Sequence, residues 1–127
     1  MNPVTDNVVR GKVGELLIQI KLLFNGIQAA PPILDSGNDL VAICGHTIKT
    51  IQVKTKENST PNWDIRPTER EYDMLALVEL ATEPGNLSDA KVYLLSKDDF
   101  NGRRTINKST INDKLFDSQI KIFFPNC

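Results

Sequence analysis

Histidine, cysteine and aromatic residues are scarce in this chain. It has one histidine and two cysteines, a poor basis for a Cys/His zinc site. The cysteines, Cys44 and Cys127, do not form a CxxC pair. We therefore expect no structural disulfide and read Cys44 as a small apolar residue buried in a strand. No apolar run approaches the roughly 18 residues that span a bilayer. The start, Met1-Asn2-Pro3-Val4-Thr5-Asp6, lacks the charged and then apolar layout of a secretory signal, so the expected compartment is the cytoplasm, with no membrane partner. Net charge is nearly absent too, at −1, and bulk electrostatics do not announce a nucleic-acid binder. The charge is unevenly spread, however. The stretch from Asp64 to Asp99 is acidic, and the stretch after it carries Arg103, Arg104, Lys108, Lys114 and Lys121. Any nucleic-acid surface is then a local patch.

What is present fits one domain over residues 1–127 with a modest core. Val9, Val13, Leu16, Leu17, Ile20 and Leu23 or Phe24 recur at helical steps and predict a helix over Asn7 to Phe24. Thr5 or Asp6 can cap its start, and Asn25-Gly26 supplies a left-handed stop. Gly11 and Gly14 cost such a helix about 1 kcal/mol each relative to alanine. That cost points to close backbone approach by a neighbour, or to a helix that begins late.

Strands are predicted over Ile27 to Leu34, Asp39 to Cys44, Thr47 to Lys56, Tyr72 to Ala81 and Lys91 to Ser96. Pro31-Pro32 restricts the first to an edge or an irregular end. Glu57 to Pro67 reads as a loop, and a short helix over part of Thr68 to Met74 competes with the start of the fourth strand. A weaker helix over Lys108 to Phe116 and a last strand over Gln119 to Phe124 complete the pattern. The expected class is α/β (α+β), with a central mixed β-sheet flanked by helices.

The hairpin between the second and third strands carries the chemistry. Its Gly45-His46 turn favours a two-residue connection. Cys44 then faces Thr47, Ile43 faces Ile48, Val41 faces Thr50 and Asp39 faces Gln52, while Asp35 falls nominally opposite Lys56. A four-residue loop gives the same register, whereas a three-residue loop flips one set of side chains to the other face. Gln52, Lys54 and Lys56 alternate with Ile51, Val53 and Thr55 and project to one side. The hairpin therefore converges Asp39, Gln52 and Lys54.

Phosphodiester hydrolysis adds negative charge to a phosphate that is already anionic. A divalent cation neutralises that charge and lowers the pKa of a bound water. Mg²⁺ commonly takes one or two carboxylates and fills its other positions with water and substrate oxygens. Asp39 is the leading metal ligand, Gln52 offers a neutral side-chain oxygen, and Lys54 can stabilise developing charge or orient the water. Glu15 on the helix can complete the metal shell, with Asp35 as a reserve carboxylate. Taken singly, each has a plainer reading: Glu15 as a solvated helix residue, Asp39 as a turn residue, and Gln52, Lys54 and Lys56 as the polar side of a half-exposed strand. His46 reads as an exposed turn residue. Trp63 reads as a cap over the core, with stacking on a base as the alternative. Lys56, Arg103, Arg104 and Lys108 are candidate phosphate contacts.

Gly11-Lys12-Val13-Gly14-Glu15, Asn38-Asp39-Leu40-Val41 and Ile51-Gln52-Val53-Lys54-Thr55-Lys56 together resemble the PD-(D/E)xK nuclease superfamily. The likeness is nearest to its intron-encoded homing endonuclease and Holliday-junction-resolvase-like subgroups. In order and spacing these pieces cover about the first half of the chain. Tyr72-Asp73 with its apolar strand and Val92-Tyr93-Leu94-Leu95 are similar to the strands that finish that core. The resemblance implies a restriction-endonuclease-like core, Mg²⁺ or Mn²⁺ held by Glu15, Asp39 and Gln52, and Lys54 as the catalytic lysine. It implies a metal-dependent endonuclease acting on DNA, and cutting both strands of a duplex makes a homodimer a reasonable expectation. Two positions depart from the pattern: Asn38 stands where the motif name has proline, and Gln52 where it has an acid. The second removes a negative charge and leaves an alternative, a catalytically degenerate module that binds nucleic acid or a protein partner.

Overall fold

The computed structural model describes residues 6–33, 39–65, 71–83 and 85–127. Helix α1 runs Asp6–Phe24 and strand β1 Gln28–Ala30. Strands β2 (Leu40–Cys44), β3 (Thr47–Glu57), β5 (Met74–Leu80) and β6 (Lys91–Ser96) follow, with the short strand β4 (Asn62–Asp64) between β3 and β5. After β6 come helix α2 (Lys97–Phe100), strand β7 (Thr105–Asn107), a 3₁₀ turn (Lys108–Thr110) and helix α3 (Phe116–Phe123). The main sheet has the order β1-β2-β3-β5-β6, and β4 pairs with β7 in a separate ribbon. The β3–β5 pairing is parallel and the others are antiparallel, so the sheet is mixed and the domain α+β, as expected.

α1 ends in a Schellman motif. Gly26, at φ 76°, donates to Leu23 O and Ile27 donates to Leu22 O, which satisfies carbonyls that the last turn would otherwise leave open. Thr5, one of the two expected caps, lies outside the described residues, and Asp6 is the first helical residue. The Gly45-His46 turn places φ 60° at Gly45 and no positive φ at His46, the II′ pattern that suits a right-twisted hairpin. It fixes Cys44 opposite Thr47, Ile43 opposite Ile48 and Val41 opposite Thr50.

Two cores sandwich the sheet. On one face Ile51, Val53, Met74, Ala76, Val78, Val92 and Leu94 meet Ile18 and Leu22 of α1 and Phe116 and Ile120 of α3. On the other, Leu75, Leu77, Tyr93 and Leu95 meet Trp63 of β4, Ile65 just after it and Ile106 of β7. β5 is covered on both sides, so it reads as a continuous apolar run without alternation.

Several expectations are corrected. The segment Gln119–Phe124 is part of helix α3 and the turn after it, not a strand. Ile120, Ile122 and Phe124 mimic a two-residue period, but Phe116, Ile120 and Phe124 lie four apart and are the buried set, while Ile122 is exposed. The Lys108–Phe116 helix reduces to one 3₁₀ turn. The Glu57–Pro67 loop contains β4, whose partner β7 lies far along the chain and leaves no local signal. The first strand shortens to Gln28–Ala30, and the helix weighed over Thr68 to Met74 lies partly outside the described residues; its described part is not helical. Cys44 and Cys127 are joined in a disulfide across a Cα–Cα distance of 6.4 Å, where free cysteines were expected. Their separation of 83 residues hides the pairing from any spacing rule. The stripe that marks α1 as a helix is also not the face that packs: Gly14, Ile18 and Leu22 are buried, while Val9, Leu16, Ile20, Leu23 and Phe24 face outward.

Candidate active site

Gly14 brings α1 down onto β3. A methyl added there would overlap Thr55 Oγ1 and meet Thr55 Cβ at 3.0 Å and Cγ2 at 3.2 Å. The sequence argument for close approach therefore holds at Gly14; at Gly11 an added carbon meets nothing within 4 Å. This contact sets the height of Glu15 above the strand.

β2 begins at Leu40, opposite Ile51, and Asp39 immediately precedes it. Straight continuation of the ladder would set Asp39 across from Gln52. Instead the Asp39 N–H donates to Ile51 O at 3.0 Å, and the Val53 N–H donates to Asp39 Oδ2 at 2.8 Å. The carboxylate takes the place of a ladder acceptor and pins Asp39 at the fork between the strands.

Glu15 and Asp39 feel each other's charge. Burial pushes the Glu15 carboxyl above its ordinary value, the Asp39 carboxylate pushes it further, and Lys12 at 3.5 Å opposes both. Gln52 and Lys54 are half-buried on β3, opposite Leu75 and Leu77 of β5. By alternation they lie on the other side of the strand from Ile51 and Val53. Lys54 lines a cleft of about 270 Å³ with Arg10, Glu57, Asn62 and Asp64. Arg10 and Glu57 form an ion pair that ties α1 to the end of β3. Sequence reading passed over Arg10; its one signal was a place one turn ahead of Gly14 on α1. Asp35 lies outside the described residues.

The four basic candidates for phosphate contact separate. Lys56 is buried, 2.7 Å from Glu79, and its ammonium lies 4.5 Å from the Trp63 ring centre. Lys108 reaches the same carboxylate at 2.9 Å and keeps part of its side chain in solvent. Arg103 and Arg104 are exposed. Trp63 is a core residue whose indole N–H donates to Val78 O, and His46 is an exposed turn residue.

Hard oxygen donors on Glu15, Asp39 and Gln52 have the chemistry that Mg²⁺ or Mn²⁺ prefers, and repulsion between two carboxylates is what a cation offsets. Among the described residues no group of three His, Cys, Asp or Glu side chains is arranged to hold a metal. The candidate set holds two carboxylates and an amide.

The central mixed sheet flanked by helices matches a restriction-endonuclease-like core. Among solved structures the chain is similar to I-Ssp6803I, described as a bacterial homing endonuclease. The TM-score is 0.60 at 20% identity, over 82% of this chain and 75% of that one. At that identity the likeness is one of fold. No family profile matches the chain, and neither does any curated protein.

Proposed function

We propose that this chain is a divalent-metal-dependent endonuclease that hydrolyses DNA phosphodiester bonds. The observation that carries the reading is the Asp39 carboxylate, held by the Val53 N–H at the fork of the β2–β3 hairpin, with the like charge of Glu15 near enough to repel it. The fold shared with a homing endonuclease supports it. Asp39, with Glu15 and the amide oxygen of Gln52, would hold Mg²⁺ or Mn²⁺. When bound, the ion supplies charge neutralisation at the phosphate and a more acidic water. The Val53 N–H keeps the Asp39 carboxylate aimed. Lys54 stabilises charge that develops on the phosphate and orients the water. Arg103 and Arg104 add phosphate contacts whose strength falls with salt.

Plasmid nicking with Mg²⁺ or Mn²⁺ is the test. Asp39→Ala and Lys54→Ala are each expected to lower the cleavage rate by about 10²–10³-fold, the scale for removing one preorganised charge-stabilising group. Cleavage that survives both substitutions removes the proposed mechanism.

Gln52 favours a second reading, a nuclease-derived module that binds nucleic acid or a protein partner without turnover. A neutral donor in place of an acid weakens the cation site. Calorimetric titration with Mn²⁺ separates the two. In the enzyme, binding is measurable, is lost in Asp39→Ala, and tightens by about tenfold or more in Gln52→Glu, which restores a charge. In the degenerate module no heat is seen with the native chain.

A further inference from the structure

α1 is apolar on two opposite sides. One side, Gly14, Ile18 and Leu22, lies in the core. The other carries Val9, Val13, Leu16, Ile20 and Leu23, at steps of four, three, four and three residues. That is the spacing of a helix–helix seam, because alternating three- and four-residue steps keep side chains in line on one flank. Val9, Leu16 and Ile20 are each 48% exposed, Leu23 68% and Phe24 85%. A helix apolar on both sides is normally covered on both.

We propose that this outer flank of α1 is a self-association surface, and that its occupant is the same flank of a second copy of this chain. Val9, Leu16, Ile20 and Leu23, with Phe24 beside them, present on the order of 500 Å² of apolar surface. That lies in the range of patches that mark interaction sites, and most of the way to the ~800 Å² per partner of a standard interface. Further apolar surface adjoins it. At its N-terminal end the stripe runs into a cavity of about 500 Å³ where Val9 and Val13 face Leu80, Ala81 and Leu87. Leu87 is 50% exposed at the rim.

A second copy fits because the surface complements itself. A seam of evenly spaced aliphatic side chains matches its own image under a two-fold axis, which is what an isologous interface requires. No acidic or basic side chain interrupts the seam from Val13 to Leu23 at the seam positions. Antiparallel pairing also sets the two helix dipoles in opposition. The inference is independent of whether the fork of the hairpin cleaves DNA.

Sedimentation equilibrium tests it on the native chain. The expected mass is twice the 14.2 kDa of one chain, with dissociation on dilution. Leu16→Glu and Ile20→Glu are each expected to weaken association at least about 100-fold, the scale of a central interface residue, while circular dichroism and the thermal transition of the monomer persist. Ile122→Glu alters an exposed aliphatic residue on another helix and is expected to leave the dimer intact. Ile20→Gln provides a milder variant should a charge impair folding. A native chain that stays monomeric at hundreds of micromolar overturns the proposal. So does a dimer that survives both glutamate variants, or one lost in Ile122→Glu and kept in Leu16→Glu.

Discussion

Glu79→Ala is expected to lower the unfolding free energy by about 3–5 kcal/mol, the cost of stranding a buried charge by deleting its partner. The Glu79 carboxylate sits inside the second core, 2.7 Å from the Lys56 ammonium and 2.9 Å from that of Lys108. Lys56 is itself buried, stacked over Trp63 and donating to Thr60 O at 2.6 Å. Lys108 can turn to solvent when the carboxylate goes; Lys56 cannot without dragging its strand. Urea denaturation gives the measurement. Replacing both buried partners, in Lys56→Met with Glu79→Leu, should recover most of the loss, since an apolar pair carries no desolvation cost. If the double variant is as weak as the single one, stranded charge is not the cause.

The same cluster sets a pH dependence. Burial works to raise the Glu79 carboxyl, but hydrogen bonds from Lys56 and Lys108 outweigh it and hold the group below its ordinary value of 4.5. The unfolded chain therefore binds this proton more tightly than the folded one. The stabilisation is complete above pH 4.5 and drains away as pH falls through the lower folded value. Denaturation midpoints measured downward from pH 6 should fall more steeply for the native chain than for the Lys56→Met, Glu79→Leu variant.

Local patterns made some of this legible in the sequence. The Gly45-His46 turn dictated the β2–β3 register, and the cost of Gly11 and Gly14 inside a helix pointed to close approach by a neighbour or a late helix start, of which Gly14 shows the first, against β3. The errors arose where a local pattern had two solutions that only the tertiary fold could choose between. α1 carries apolar residues on two sides, and the side with the more regular spacing turned outward because Gly14 brings the other onto β3. The end of the chain fits both a two-residue and a four-residue apolar period, and α3 follows the latter because Phe116, Ile120 and Phe124 fill the first core. Lys56 looked like a strand's solvent side, but Trp63 and Glu79, remote in sequence, enclose it. At the candidate site the sequence supplied Glu15 and Asp39. It could not show that the Asp39 carboxylate substitutes for a backbone acceptor, because that follows from where the β2–β3 ladder stops.

Gly14→Ala is expected to destabilise the fold by about 2–3 kcal/mol, although alanine is the better helix former by about 1 kcal/mol. The new methyl falls on Thr55 Oγ1, on a β-branched side chain whose Cβ and Cγ2 also lie within 3.2 Å, so no rotation clears all three atoms. The helix has to rise from the strand, and Glu15, the next residue, rises with it. The metal-dependent cleavage proposed above should therefore fall further than the loss of folded protein explains, measured at a temperature where the variant is fully folded. Gly11→Ala provides the contrast. Nothing lies within 4 Å of its added carbon, and φ there is not positive, so the variant should gain up to about 1 kcal/mol. Thr55 Oγ1 is the described side-chain polar atom that is buried with no hydrogen-bond partner. Trimming it in Thr55→Ala therefore forfeits no bond and opens room for the methyl. The Gly14→Ala, Thr55→Ala double variant should regain at least half of the stability lost in Gly14→Ala, a coupling that a double-mutant cycle reads directly. Additive losses in that cycle would mean that Gly14 is required for some reason other than its contact with β3.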